Sequence, residues 1–245
     1  MGPGSLVADR RGDTKTRQKR WRCGIMSATG WPDQKGEGMS QSNTAIVDAL
    51  KAETPSSDGR RARSQASRSK IIRAIMDLIE AGDPDPSTAN IAKKAGVGLR
   101  SLFRHFEDKD AIYRELDSIL MKAYRPIIEA PYSSDAWQDR VKELIERRCE
   151  VNEATAPYRI STTAMRRRSK FLKENFQRLH DAEKGRLNSI LPSQLHTDTP
   201  LGRTILVAMS FDTWRLLRED EHLSAGETVE AVNQMVGDVI ARSGD

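Results

Sequence analysis

The residues best equipped for chemistry in this 245-residue chain lie between Gly96 and Lys109. There the run Leu99-Arg100-Ser101-Leu102-Phe103-Arg104-His105-Phe106 mixes guanidinium, hydroxyl, imidazole and aromatic groups over two helical turns. A short helix of that composition can pack Leu102 and Phe106 inward, with Val97, and turn Leu99, Arg100, Ser101 and His105 outward. An outward arginine can bond O6 and N7 of a guanine, a contact giving roughly 1–3 kcal/mol of discrimination between bases. Other chemistries are poorly supplied. His105, His180, His196 and His222 are scattered, and Cys23 and Cys149 lie far apart, so no metal-ligand spacing or disulfide framework arises. No nucleophile, base and orienting group share a recognisable spacing, and no Gly-rich phosphate loop occurs. The reading is a non-enzyme with no metal and no cofactor.

The charge of the chain points the same way. Its formal net charge of +5 is unevenly spread: residues 1–59 hold 9 Lys+Arg against 7 Asp+Glu, residues 60–125 hold 14 against 9, and residues 126–245 hold 17 against 19. A positive charge gathered in one segment suits an anionic partner, with nucleic acid ahead of a membrane surface. A membrane-spanning helix is not expected, because the longest uninterrupted apolar run is Ile205 to Met209. The scarcity of cysteine fits a reducing cytoplasm.

Helices must position the Gly96–Lys109 segment. Residues 1–59 are rich in Gly, Ser, Thr, Asp, Lys and Arg, and read as a disordered or tag-derived extension, with Met26 and Met39 as conceivable natural starts. From Ser67, the residues Ile71, Ile72, Ile75, Met76 and Ile79 recur at helical spacing, and Asp83-Pro84-Asp85-Pro86 ends that helix. Ser87-Thr88 opens a second, short helix through Ile91, Ala92 and Ala95, closed by Gly96. Asp108 caps a fourth helix carrying Ile112, Leu116, Ile119 and Leu120. Beyond Pro126 helices are expected over Asp135–Glu153, Pro157–Arg168, Lys170–Leu191, Leu201–Arg218 and Glu227–Arg242, with no period-two strand. The expected fold is all-α: a helix-turn-helix unit with its linking helix over 60–125, then a helical domain over 126–245.

The segment Ser87–Leu116 resembles the DNA-binding domain of the tetracycline-repressor (TetR) family of bacterial regulators. The resemblance rests on Ile91-Ala92-Lys93-Lys94-Ala95-Gly96-Val97, then Ser101-Leu102-Phe103-Arg104-His105-Phe106, then Lys109 and Ile112. It implies a transcriptional repressor that reads double-stranded operator DNA in a bacterial cytoplasm, associated with the nucleoid. By resemblance, Thr88 and Lys109 face phosphates, and Leu99, Arg100, Ser101, Phe103, Arg104 and His105 belong to the recognition helix. Two positions depart from the family pattern. Phe103 stands where a tyrosine hydroxyl is usual, so that ring reads chiefly as a core aromatic, and Gly98 stands where a polar residue often opens the helix. Arg104 and the run ahead of helix one, with Arg60, Arg61 and Arg63 as an arm along the groove, can compensate. His105 is open to two readings, a DNA contact or local packing at its helix end.

A single recognition helix reads only a few base pairs, so a homodimer on a pseudo-palindrome is expected. Val229, Val232, Val236 and Val239, with Met235 and Ile240, form a seam on the last helix, and Leu206, Met209, Thr213 and Leu216 a similar line on the preceding one. These last two helices are the expected dimer interface, as in the resembled family. Trp137, Met165, Phe171, Phe176, Met209 and Trp214, with Phe211, are candidates to line a pocket for an unidentified small-molecule effector. Ligand binding there would act through the fourth helix, ending near Pro126. The competing expectation is a structural or cell-cycle DNA-binding factor of the same fold without an effector.

Overall fold

The computed structural model of the chain describes residues 59–244. The extension up to residue 58, with Met26 and Met39, lies outside the described residues. Within them every regular element is helical and no strand occurs.

Helix α1 runs Gly59–Glu80, α2 Thr88–Ala95, α3 Leu99–His105 and α4 Lys109–Ile128. Their ends follow from local chemistry. Ser87 accepts a hydrogen bond from the Asn90 N–H and caps α2, while Asp108 accepts from the Ala111 N–H and caps α4. Gly96 adopts φ 66°, ψ 33°, the left-handed conformation that lets its N–H return to the last turn of α2 and starts the turn into α3. Ile71, Ile72, Ile75, Ile91, Leu102, Phe106, Ile112 and Leu116 are all 0–1% exposed and form the core of this unit. Leu172, from beyond α4, belongs to the same core, and Val151, Tyr158, Met165 and Phe171 pack on it. The N-terminal unit is therefore continuous with the helices behind it.

Helix α5 runs Trp137–Met165, α6 Lys170–Asn188, α7 Pro200–Ala208, α8 Phe211–Arg215 and α9 Ala225–Arg242, with a 3-10 turn at Ser193–Leu195 and a π turn at Leu216–Asp220. α5 and α7 pack against α9. Here Val232 comes together with Ile145, Ala208, Met209 and Trp214, and Val236 and Val239 are buried on the same helix. Gly202 is where α7 crosses the chain behind it: a Cβ there would lie 2.0 Å from the His196 carbonyl oxygen.

Three boundaries differ from the sequence expectation. α1 begins eight residues ahead of Ser67, at Gly59. Pro126 and Pro157 lie inside α4 and α5, so the expected break between Glu153 and Pro157 is absent. A proline in a helix interior costs about 3 kcal/mol; burial of Cys149, Asn152, Thr155, Ala156 and Ser161 along α5 offsets it. The expected helix Leu201–Arg218 is instead divided at Ser210, whose hydroxyl accepts from the Thr213 N–H and starts α8 anew. The Thr213 hydroxyl donates back to the Val207 carbonyl at 2.6 Å, fixing the corner.

Candidate nucleic-acid interface

The recognition segment is built as its composition suggests, with instructive exceptions. Gly98, at φ −69° and ψ 146°, is the N-cap of α3 and brings no side-chain hydrogen bond. Its carbonyl accepts from Ser101 and Leu102. Leu102 and Phe106 are buried, whereas Arg100 and Arg104 are exposed. Arg104 donates to the Ser101 hydroxyl at 2.9 Å, which holds both over the outer face. Arg100 makes no side-chain hydrogen bond or ion pair among the described residues, so its guanidinium is available to an outside acceptor.

Phe103 corrects the sequence reading. It is 46% exposed, alongside Leu99 at 45%. Leu102 and the C-cap Phe106 point most directly into the core, whereas Leu99 and Phe103, one turn apart, share the flank of that face and stay exposed. An exposed aromatic and an exposed leucine beside two arginines can meet thymine methyl groups while the cations meet phosphates or guanine. His105 belongs to the packing reading. Its Nε2 is buried without a partner, and burial, then Arg104 and Arg68, hold its pKa below the usual histidine value. Both effects favour the neutral ring at the end of α3.

The basic run ahead of the helix-turn-helix is likewise divided by the structure. Arg60, Arg61 and Arg63 fall in the first turns of α1, so the expected arm is helix; the side chains of Arg60 and Arg61 lie outside the described residues. Arg68, one and a half turns further on, points inward. It donates to the His105 carbonyl at 2.8 Å and to Glu115 Oε2 at 2.9 Å, and its guanidinium lies 4.5 Å from the centre of the Phe106 ring. Arg68 thus fastens the end of α3 to α1 and α4 together. Sequence reasoning counted it as one more basic residue, because its partners are 37 and 47 residues away.

Thr88 is the first residue of α2, and Lys109 the first of α4. Both N-termini present the free N–H groups that favour phosphate. The Lys109 ammonium is engaged by Asp85 and sits 5.6 Å from the Tyr113 ring. Asp85 belongs to the loop between α1 and α2, and that loop is tied to the helix behind: the Ser161 hydroxyl of α5 donates to the Pro84 carbonyl at 2.7 Å.

Behind this unit, α4, α5, α6 and the start of α8 enclose a cavity of about 330 Å³. Of the residues expected to line it, Phe176 and Phe211 do. Met165 and Phe171 instead pack on the core of α1 to α4. Met209 and Trp214 fill the contact of α5 with α9, where the Trp214 indole N–H donates to Glu153 at 3.1 Å. Trp137 opens α5, away from the cavity lining. Helical spacing marks an aromatic as inward but does not say which of two interiors it enters. The cavity wall also holds Tyr124, Tyr158 and Arg159, which the sequence did not single out. Among the described residues, no helix is long and apolar enough to cross a membrane.

Residues 71–116 match the family model described as bacterial regulatory proteins, tetR family. A comparison with the curated proteins gives no match. The matched span runs from Ile71 in α1 to Leu116 in α4 and takes in all of α2 and α3. It holds the apolar residues that bury the recognition helix, and the arginines that this burial leaves outside. The chain is thus a DNA-binding transcriptional regulator that carries the helix-turn-helix domain of the bacterial tetR family.

Proposed function

We propose that the protein is a homodimeric repressor that binds a pseudo-palindromic operator and releases it when a small molecule occupies the cavity. The observation that carries this reading is the position of the cavity: it is bounded by α5, whose Ser161 holds the loop ahead of α2. A ligand that favours one arrangement of α5 over another therefore changes the seating of the helix-turn-helix, which is what effector response requires.

On DNA, Arg100 reads a base edge, with Leu99, Ser101, Phe103 and Arg104 around it. Thr88 and Lys109 meet the backbone, Lys109 exchanging Asp85 for a phosphate. Arg60, Arg61 and Arg63 stand at the positive end of α1, whose first turn contains no acidic residue. That arrangement is unfavourable alone and favourable beside phosphate.

Pairing of subunits uses the outer side of the last helices. Val232, Val236 and Val239 are taken up by the protomer's own core, which leaves Val229, Met235 and Ile240 partly exposed. Val207, 62% exposed, and Leu216, 47% exposed, are further apolar side chains left open on the preceding helical segments. The protein works on the nucleoid, in the cytoplasm. Selection of bound sequences from a random duplex pool tests the proposal: two inverted half-sites about one helical turn apart are expected. A single asymmetric site would refute it.

A further inference from the structure

The cavity is rich in charge, and most of that charge is matched. Arg148 pairs with Glu183 at 2.8 Å, and Arg125 with Glu129 at 2.8 Å. Asp117, buried between α4 and α6, accepts from the Asn175 amide at 2.8 Å and lies 3.4 Å from Arg178. After these pairs, the lining residues Arg159, Arg166 and Arg186 have no ion-pair partner among the described residues, against the one carboxylate of Asp212.

Arg159 is the most constrained of the three. Its Nη1 donates to the Asn152 side-chain oxygen at 2.6 Å, and its guanidinium lies 4.3 Å from the centre of the Phe211 ring. Among the described residues no other hydrogen bond uses its remaining N–H groups. Burial holds its pKa below the ordinary arginine value, and Glu183 and Asp212 only partly counter this. A guanidinium only partly open to solvent and without a paired carboxylate is costly, and its planar fork matches a carboxylate in two parallel hydrogen bonds. Leu144, Val151, Phe176, Leu179 and Phe211 supply apolar parts of the same wall. A cavity of this size is at the lower end of the roughly 300–1,000 Å³ common for small-molecule sites.

We propose that the cavity takes a carboxylate-bearing molecule with an apolar body, the carboxylate seated on Arg159. This rests on the reading of the cavity as the effector site. Its anchor is fixed before the ligand arrives: Asn152 and Phe211 hold the guanidinium in place, so little rotamer freedom remains to be lost on binding.

The test uses the full chain and three probes, each with a straight ten-carbon chain, that differ in head group: decanoate, decan-1-ol and decyltrimethylammonium. Calorimetry is expected to give decanoate the tightest binding. Arg159→Gln is expected to weaken decanoate by about tenfold or more, the scale of a lost charge-assisted hydrogen bond, and to leave decan-1-ol unchanged. Arg159→Lys, which keeps the charge but loses the fork, is expected to fall between. Equal or tighter binding of the alcohol or the cation to the unaltered protein overturns the proposal without recourse to any variant, as does indifference of decanoate to Arg159→Gln. Operator release is measured separately. Decanoate that binds through Arg159 but does not release DNA supports the carboxylate site and refutes the effector reading. Release by the alcohol or the cation alone, with no decanoate binding, supports the effector reading and overturns the carboxylate site.

Discussion

Arg100 and Arg68 are both arginines of the DNA-binding unit, yet the structure gives them opposite duties. Arg100 is exposed and unengaged, so Arg100→Ala is expected to relax preference at one position per half-site, by roughly 1–3 kcal/mol, and to leave the melting temperature unchanged. Competition binding with single-base operator variants checks this. Arg68→Ala removes the hydrogen bond that holds the end of α3 and a second one to Glu115 of α4. It is expected to lower the melting temperature and weaken all operators alike, with base preference intact. Tyr158 offers a third contrast. Among the described residues its hydroxyl is buried with no partner. An unpaired buried hydroxyl costs about 1–3 kcal/mol, so Tyr158→Phe is expected to be neutral or stabilising in thermal unfolding, against the usual sense of core substitutions. Chemical type and spacing in the sequence were enough to place Arg100 outside and Leu102 inside. They could not show Arg68, Arg159 or Ser161 at work, because each acts through a partner brought near only by folding.

Elements were legible where local chemistry closes them. Ser87, Gly96 and Asp108 cap and stop their helices by hydrogen bonds within a few residues, and such signals survive in a linear reading. Proline misled, since its local cost at Pro126 and Pro157 is outweighed by packing along helices longer than either break would allow. The corner at Ser210 was missed for the complementary reason: the stripe Leu206, Met209, Thr213 and Leu216 keeps helical spacing across a break made by one serine hydroxyl. Gly98 invites a change at this scale. Its φ is negative and nothing lies within 4 Å of an added Cβ, so no steric reason requires glycine there. Gly98→Ser is expected to cap α3, raising stability by a few tenths of a kcal/mol and strengthening operator binding modestly. Denaturant titration and equilibrium DNA binding measure the two effects. Pro157→Ala restores a backbone donor to α5 and is expected to stabilise the protein by about 1–3 kcal/mol, less the gain in unfolded-chain freedom.

The whole molecule divides its charge between tasks. The excess of cations lies in residues 60–125, the segment that contains the recognition helix, while residues 126–245 are slightly acidic. Operator affinity is therefore expected to fall steeply with salt, the slope on a logarithmic plot being about 0.9 per phosphate neutralised. Replacing Val207 with Glu is expected to yield monomers in sedimentation and to lose operator binding, with helical content retained. α5 joins these regions. At one point Glu153 grips Trp214 and Arg218 beside α9, and at another Ser161 grips Pro84 ahead of α2. Pro157 lies between the two, where no N–H answers the Glu153 carbonyl. In mechanical terms α5 is a beam clamped twice, with its weakest section between the clamps. Bending concentrates at that section, and the displacement delivered to the Pro84 loop grows with distance beyond it. Tyr158 and Arg159, the residues through which a ligand would press, are the first two past the joint.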